Sequence, residues 1–227
     1  MGDDSRATKL ANWITDKAVA GIPPLSPAAA LALEYQIDKR YRNDDERIEA
    51  LINCEAKKSF TSGFVTGLGG LLTLPLAVPS ALGAAWVLQA RLAGAIAAIY
   101  GHDPKAPHNR TLILLSLLGD SSAAVLKDVQ ADVGRKLAIN VLARLPAVVL
   151  RQINRRVGLR LMARVGGRGA ITLSRALPLF GGVISGGFDA YSCRKTGQTA
   201  KELFGAKPKA SPKPRKPGTR KTSVAAT

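Results

Sequence analysis

Residues 69–91 read GGLLTLPLAVPSALGAAWVLQAR, and the fold turns on whether they belong to one spanning helix or to a folded-back pair. They lie inside a longer run, Ser59 to Ala90, that contains no Asp, Glu, Lys or Arg. Thirty-two charge-free residues are enough to cross a bilayer. Pro75 and Pro79 argue against a single crossing helix, because each removes a backbone donor and costs about 3 kcal/mol or more in a helix interior. The run therefore divides into one arm over 60–74, a bend over 75–79 and a second arm over 80–100. The first arm is about 22 Å long at 1.5 Å per residue, short of the ~30 Å hydrocarbon core. The second is long enough but carries Gln89 and Arg91 at its middle, and a central arginine costs about 2.5–3.5 kcal/mol on insertion. The expectation is an apolar hairpin buried in a mostly water-exposed protein.

Outward from this hairpin the periodicity is helical, with no long alternating run to suggest a sheet. Helices are expected over 7–20, ending at Gly21; over 27–41, capped by Ser26; and from Asp44 or Asp45 toward Phe60. Further helices are expected over 108–118, 121–132, 135–165 with breaks at Pro146 and Gly158, and 178–204. Residues 170–177 fit either a strand or a helical turn. Gly101 suits the stop of the second arm. The fold class is all-α: a single helical domain over 30–205 with a helical extension over 1–29 and a basic tail over 206–227. The tail has four prolines, seven basic residues (Lys207, Lys209, Lys213, Arg215, Lys216, Arg220 and Lys221) and no large apolar side chain but Val224. It is expected to be disordered.

Small residues recur at helical spacing: Gly63, Gly67 and Gly70 in the first arm, Ala90, Gly94 and Ala98 in the second, and Gly182, Gly186 and Ala190 after Pro178. This pattern lets helix backbones approach closely, in soluble cores as in membranes. With aromatics only 5% of the chain, the core must be built from Ala, Leu, Val, Ile and Gly.

The formal charge is +17 and is unevenly spread. Residues 1–60 hold 9 basic and 10 acidic groups, 61–133 hold 4 of each, and 134–201 hold 13 basic groups against Asp189 alone. The excess implies an anionic partner: an acidic lipid surface, nucleic acid or an acidic protein. In 150–164, Leu150, Ile153, Val157 and Leu161 form an apolar stripe, flanked by Arg151 and Arg155 on one side and Arg156, Arg160 and Arg164 on the other. That is the layout of an interfacial basic helix, and equally of a core helix with a solvated face. The tail lacks aromatics for base stacking, so nucleic acid would be met only through its phosphates.

For chemistry, His102–Asp103 in YGHDP is the one adjacent acid–base pair, at a helix end where His102 can also serve the terminal carbonyls. With His108 the pair makes a sparse metal set lacking a third ligand at a diagnostic spacing, so no metal is assigned. Arg91 and Asp189, each inside a small-residue helix, would either be a buried ion pair between two hairpins or serve a hydrolase-like site with His102 and Asp103. No GxSxG, HExxH or phosphate loop is present, and no cofactor is assigned. Cys54 and Cys193 sit in no CxxC motif. The N-terminus lacks an apolar signal segment, so a cytoplasmic location is expected.

Three segments together, SGFVTGLGGLLTLPLAVPSAL (62–82), QARLAGAIAAIYGHD (89–103) and INRRVGLRLMARVGGRGAITLSRALPLFGGVISGGFDA (153–190), with AKELF (200–204), resemble the bacterial EcsC protein family over about residues 30–205. Thr172 stands where Asn is expected, Arg164, Arg168 and Arg175 where Lys is usual, and SCRKTG (192–197) is atypical. The resemblance implies a helical domain without established catalytic residues. The family's name comes from a protein encoded beside an ABC transporter. That association implies proximity to the inner face of the cytoplasmic membrane, with a membrane protein complex or lipid as partner. A distant similarity to plant senescence-type domains points the same way by analogy.

Overall fold

The computed structural model describes residues 2–23, 25–68, 74–133, 145–172 and 178–205, with the side chains of 2–4, 62–82, 133 and 165–185 outside the description. Eight α-helices occupy the described residues, and no strand does: α1 (Gly2–Ala20), α2 (Ala28–Gln36), α3 (Asp44–Leu68), α4 (Leu74–Ile99), α5 (Pro107–Ser116), α6 (Ser122–Val133), α7 (Ala147–Thr172) and α8 (Pro178–Gly205). A single 3₁₀ turn, Gly119–Ser121, leads into α6. The all-α class and the single domain are as the sequence predicts. The tail over 206–227 lies outside the described residues.

Local chemistry sets the helix ends. At α3 the cap is Asn43, not Asp44 or Asp45. Its Oδ1 accepts the Glu46 N–H at 2.9 Å while Glu46 Oε2 reaches back to the Arg42 N–H at 2.8 Å. This reciprocal arrangement satisfies two otherwise orphaned donors. α4 ends on Gly101 at φ 80°, where the Gly101 N–H bonds Ala98 O and the His102 N–H bonds Ala97 O. Only glycine adopts that turn without steric cost. α2 starts at Ala28 and stops at Gln36, shorter than expected, and Pro27 precedes it without any side-chain cap.

The proline bend is corrected. α4 begins at Leu74, so Pro75 and Pro79 lie within its first two turns rather than in the connection. A proline in a first turn forfeits no bond, since those N–H groups have no helical partner. Pro79 gives up one bond. The 170–177 ambiguity resolves toward helix as far as Thr172, and α7 runs unbroken through Gly158.

α4 is central. Its Leu92, Ala93, Ala95, Ile96 and Ala97 are buried, and α1, α2, α3, α5 and α8 all pack on it. α3 and α8 lie antiparallel along the greatest length: Glu49 meets Lys201, Asn53 meets Arg194, and Ile52 fills the space over Gly197. α1 closes the other side, and its Ala11, Ile14 and Ala18 belong to the same core. Residues 1–20 are therefore part of this domain rather than an appendage. Of the small-residue positions, Gly94 faces α2, where a Cβ would stand 3.0 Å from Ala28 Cβ, and Gly186 is buried. Gly63, Gly67, Gly70, Pro75, Pro79, Pro178 and Gly182 fall where contacts lie outside the described residues. Among the described residues no helix is long and apolar enough to cross a membrane.

Candidate functional site

Polar groups enter the core at two places on α4. Arg91, 8% exposed, donates Nε to Ser26 O at 2.6 Å and Nη2 to Ser26 Oγ at 2.7 Å, and its Nη1 lies 3.7 Å from Glu55 Oε2. Glu55, equally buried, holds Lys58 Nζ at 2.8 Å with its other oxygen. The ion-pair partner of Arg91 is thus Glu55 of α3, which corrects the expected pairing with Asp189. Ser26 also has a different role from the expected cap: it terminates the Arg91 guanidinium. Two residues back, and hence on another face of α4, the Gln89 amide receives Thr196 Oγ1 at 3.2 Å and donates to Ser192 Oγ at 3.2 Å. Each network ties α4 to a neighbouring element, and each buried group in it has a partner, as burial requires.

His102 and Asp103 do not assemble with these groups. Arg91 stands eleven residues before His102 on the same helical path, about 16 Å away. The His102 ring packs on Phe204, 5.5 Å between centroids, and its Nε2 lies 3.2 Å from Phe204 O. It therefore serves terminal carbonyls, but those of α8 rather than of its own helix. Asp103 Oδ1 accepts the Lys105 N–H at 2.9 Å, and its carbonyl accepts the Asn109 amide at 2.8 Å. Both residues shape the turn between α4 and α5. Among the described residues no group of three metal-binding side chains converges.

Cys193 is buried on α8, and burial, reinforced by the nearby charges of Glu55 and Asp189, pushes its thiol up to about 11. At neutral pH it is a protonated core thiol rather than a nucleophile. Tyr100, hydrogen-bonded to Asp45 at 3.0 Å, is raised to about 12 by burial and by that carboxylate. It lines a groove of about 500 Å³ with Gln198, Lys201, Glu202 and Gly205. Lys201 there is already held by Glu49 at 2.9 Å and Asp45 at 3.4 Å.

The arginine-flanked stripe of α7 faces inward. Ile153, Val157 and Leu161 are fully buried and Leu150 nearly so. Arg156 pairs with Asp132 at 2.7 Å and Arg160 with Asp128 at 2.8 Å, both from α6. Arg164 donates to Leu117 O at 3.0 Å and Leu118 O at 3.1 Å, closing the end of α5, and its burial lowers its pKa. Of the two layouts open from the sequence, the core helix is the one adopted over 150–164. The apolar side belongs to the core and the 156–160–164 flank binds the protein itself, while Arg151 and Arg155 are exposed.

A different surface emerges at the opposite end of α3 and α8. Phe60, Phe188 and Tyr191 are 40%, 43% and 65% exposed, and Trp13 on α1 is 42% exposed with its ring against Gly83 of α4. No short sequence motif marks this cluster, because its members come from three helices.

With this geometry in place, the comparison with known families is decisive: the EcsC protein family model matches residues 38–206. The chain belongs to the EcsC protein family. No curated protein and no solved structure matches it. The EcsC region begins within the α2–α3 connection, so α1 and α2 lie before it yet complete the same core. Of the segments that carry the resemblance, 89–103 supplies the core of α4 with Arg91, and 153–190 supplies α7 and the start of α8.

Proposed function

We propose that this EcsC-family chain is a non-enzymatic accessory protein that docks peripherally on an anionic membrane surface, from the cytoplasmic side. The observation that carries this reading is how charge is used. Arg156, Arg160, Lys195 and Lys201 are matched by carboxylates from α3, α6 and the 3₁₀ turn. Residues 206–227 add seven basic groups and no acidic one. Near an anionic bilayer each contributes about 1 kcal/mol, several kcal/mol together before ordering costs. Arg91, His102 and Asp103, which would serve a hydrolase-like reaction, are instead committed to a core ion pair and to the turn between α4 and α5, which favours a binding role. A membrane protein complex at the same surface is the partner such docking would bring within reach.

The test is flotation with phosphatidylcholine vesicles, with and without phosphatidylglycerol, for the full chain and for one ending at Gly205. Binding should need the anionic lipid and weaken when the tail is removed. It should also fall between low salt and about 0.5 M, where screening shortens the reach of charge to a few ångströms. Equal flotation on both vesicle types, indifferent to salt and tail, would reject electrostatic docking.

A further inference from the structure

We infer that the outer face of α3 and α8 meets the same face of a second copy of this chain, turned end for end about a two-fold axis that lies across the two helices. The inference goes beyond the membrane-docking reading and does not depend on it.

The face is marked out by polar contacts along the seam between the two antiparallel helices. Asn53 meets Arg194 at 2.7 Å, Glu49 meets Gln198 at 3.2 Å and Lys201 at 2.9 Å, and Asp45 meets Lys201 at 3.4 Å. These pairs fix the register, so that one turn onward Lys57 stands level with residues 190–191 and Phe60 with 187–188. Charge is divided along the face. One end carries Asp45, Glu46, Glu49 and Glu202 against Lys201 and, just before α3, Arg42. The other end carries Lys57 and Arg194, both exposed, and Arg194 bonds only the neutral amide of Asn53. The remaining charges near that end are spent elsewhere. Glu55 turns inward to Arg91 and holds Lys58, and Lys195 turns to Asp120. Asp189 lies about 200° around α8 from Tyr191, on another side of the helix. The basic end also bears the exposed rings of Phe60, Phe188 and Tyr191, whereas the acidic end holds the groove of about 500 Å³ lined by Tyr100, Gln198, Lys201, Glu202 and Gly205.

A half-turn about an axis at the level of Leu51 and Thr196 exchanges these ends. α3 then runs antiparallel to α3 of the copy, and α8 to α8. Lys57 comes level with Asp45, each six residues from the axis. Arg194 comes level with Gln198, beside Glu49. Phe188 and Tyr191 come over the groove at the level of Lys201 to Gly205. Each contact is made twice, as in any two-fold interface. An axis along the helices would instead set acid on acid and base on base, so the division of charge selects the end-for-end arrangement. It also selects the occupant: a partner of one charge, or an apolar one, complements one end only, and a copy complements both. Arginine and aromatic rings are the side chains that carry most binding energy in such contacts. The face is about 22 Å long from Asp45 to Phe60 and about 20 Å wide for two helices, which gives about 900 Å² over both copies. Standard interfaces bury about 1,200 Å² or more, so this is a reversible, weak dimer that forms at high concentration.

The experiment is sedimentation equilibrium of the full chain, without lipid, from about 5 µM to about 0.5 mM, a range that suits an interface of this size. Salt is held at about 0.15 M, where the net positive charge of the two chains is screened beyond about 8 Å and charges in contact are not. The chain should associate reversibly to a dimer. Lys57→Glu sets a carboxylate against Asp45 and should weaken the dimer about tenfold or more. Asp45→Lys should do the same, and an equimolar mixture of the two variants should recover wild-type association, because each reciprocal contact again joins a cation to a carboxylate. Helicity and melting temperature check the fold. If Asp45→Lys unfolds through loss of its bond to Tyr100, Tyr191→Ala replaces it, with an expected loss of about tenfold, since it removes an exposed ring that would be buried in the dimer. A nitroxide on Asn53→Cys in a Cys54→Ser background, with Cys193 buried, should find its counterpart within about 20 Å, one interhelix spacing plus two linker arms. A chain that stays monomeric throughout, a dimer indifferent to Lys57→Glu and Tyr191→Ala, a mixture of folded variants no better than its components, or nitroxides beyond that range each overturns the inference.

Discussion

Gly158→Ala is a stringent test of the packing, because two effects of opposite sign compete in it. Gly158 lies within α7 where α1 crosses. A Cβ there would fall against the Ala7 carbonyl, 2.7 Å from its carbon and 3.1 Å from Ala7 Cα, and well inside contact with the oxygen. These are backbone atoms, so no rotamer change relieves the clash, and α1 as a whole must move outward. Overpacking costs about 1–3 kcal/mol, and a backbone obstacle puts this site near the upper end. Against it, alanine in a helix interior is favoured over glycine by about 1 kcal/mol. The net is a loss of about 2 kcal/mol, which for a chain of this size lowers Tm by about 4–8 °C. Gly187→Ala in α8 is the control, since nothing lies within 4 Å of its Cβ position and helix propensity alone should raise Tm slightly. The measurement is thermal melting by circular dichroism, with Trp13 emission as a local probe, because moving α1 lifts the ring from Gly83. A Gly158→Ala protein that melts at or above the wild type, with Trp13 unshifted, would refute the close approach of α1 and α7.

Replacing either Glu55 or Arg91 by Met strands a buried charge and should cost about 3–5 kcal/mol in urea titration, whereas the double replacement should cost clearly less than the sum. Glu49 has its carboxyl pKa lowered, first by its hydrogen bond to Lys201 and then by that to Gln198. A lowered acid stabilises the fold above its unfolded value of about 4.5 and loses that contribution as pH falls through the folded value. Glu49→Gln should therefore be less stable than wild type at pH 7 and converge with it in acid, by a small margin because the bridge is partly exposed. In the native chain at pH 8 a thiol reagent should modify Cys54, which is partly exposed, well before Cys193, whose thiol sits at about 11; equal rates would show that α8 opens readily.

Most of the fold was legible because the stop signals are local. Gly21, Gly101 and Gly119 each take positive φ where a helix ends, and Pro146 stands one residue before α7. Sequence pattern and structure part where tertiary contact outranks local preference. Gly158 reads as a break in isolation, yet it is a place where another backbone must fit. Pro75 and Pro79 read as a bend, yet Pro75 sits where no helical bond is due, and only Pro79 bears the interior cost of a lost bond and a crowded carbonyl. Asn43 does not stand out as a cap in the sequence because Asp44 and Asp45 follow it, and only the bonds of Glu46 single it out.

The site was less legible for a related reason. Arg91 reads as a charge needing a buried partner, and its small-residue surroundings match those of Asp189 rather than those of Glu55. Glu55 lies in a helix crowded with charge, Asp44 through Lys58, where no pattern distinguishes the single inward-facing carboxylate. The arginines of α7 mislead in the same way. A periodic row of cations beside an apolar stripe describes a helix on a membrane and a helix in a core equally well. What decides between them is whether the facing element brings acids, and Asp128 and Asp132 of α6 do. The imbalance between the two halves of the sequence then has a structural cause. Acidic groups of α3, α6 and the 3₁₀ turn meet the basic groups of α7 and α8 across the fold, so much of the local excess cancels on folding. Residues 206–227 bring seven cations and no carboxylate of their own, and they follow directly on α8. Salt dependence that disappears when the chain is ended at Gly205 would place the anion-seeking part of this protein there, and salt dependence that persists in the shortened chain would place it on the helical domain.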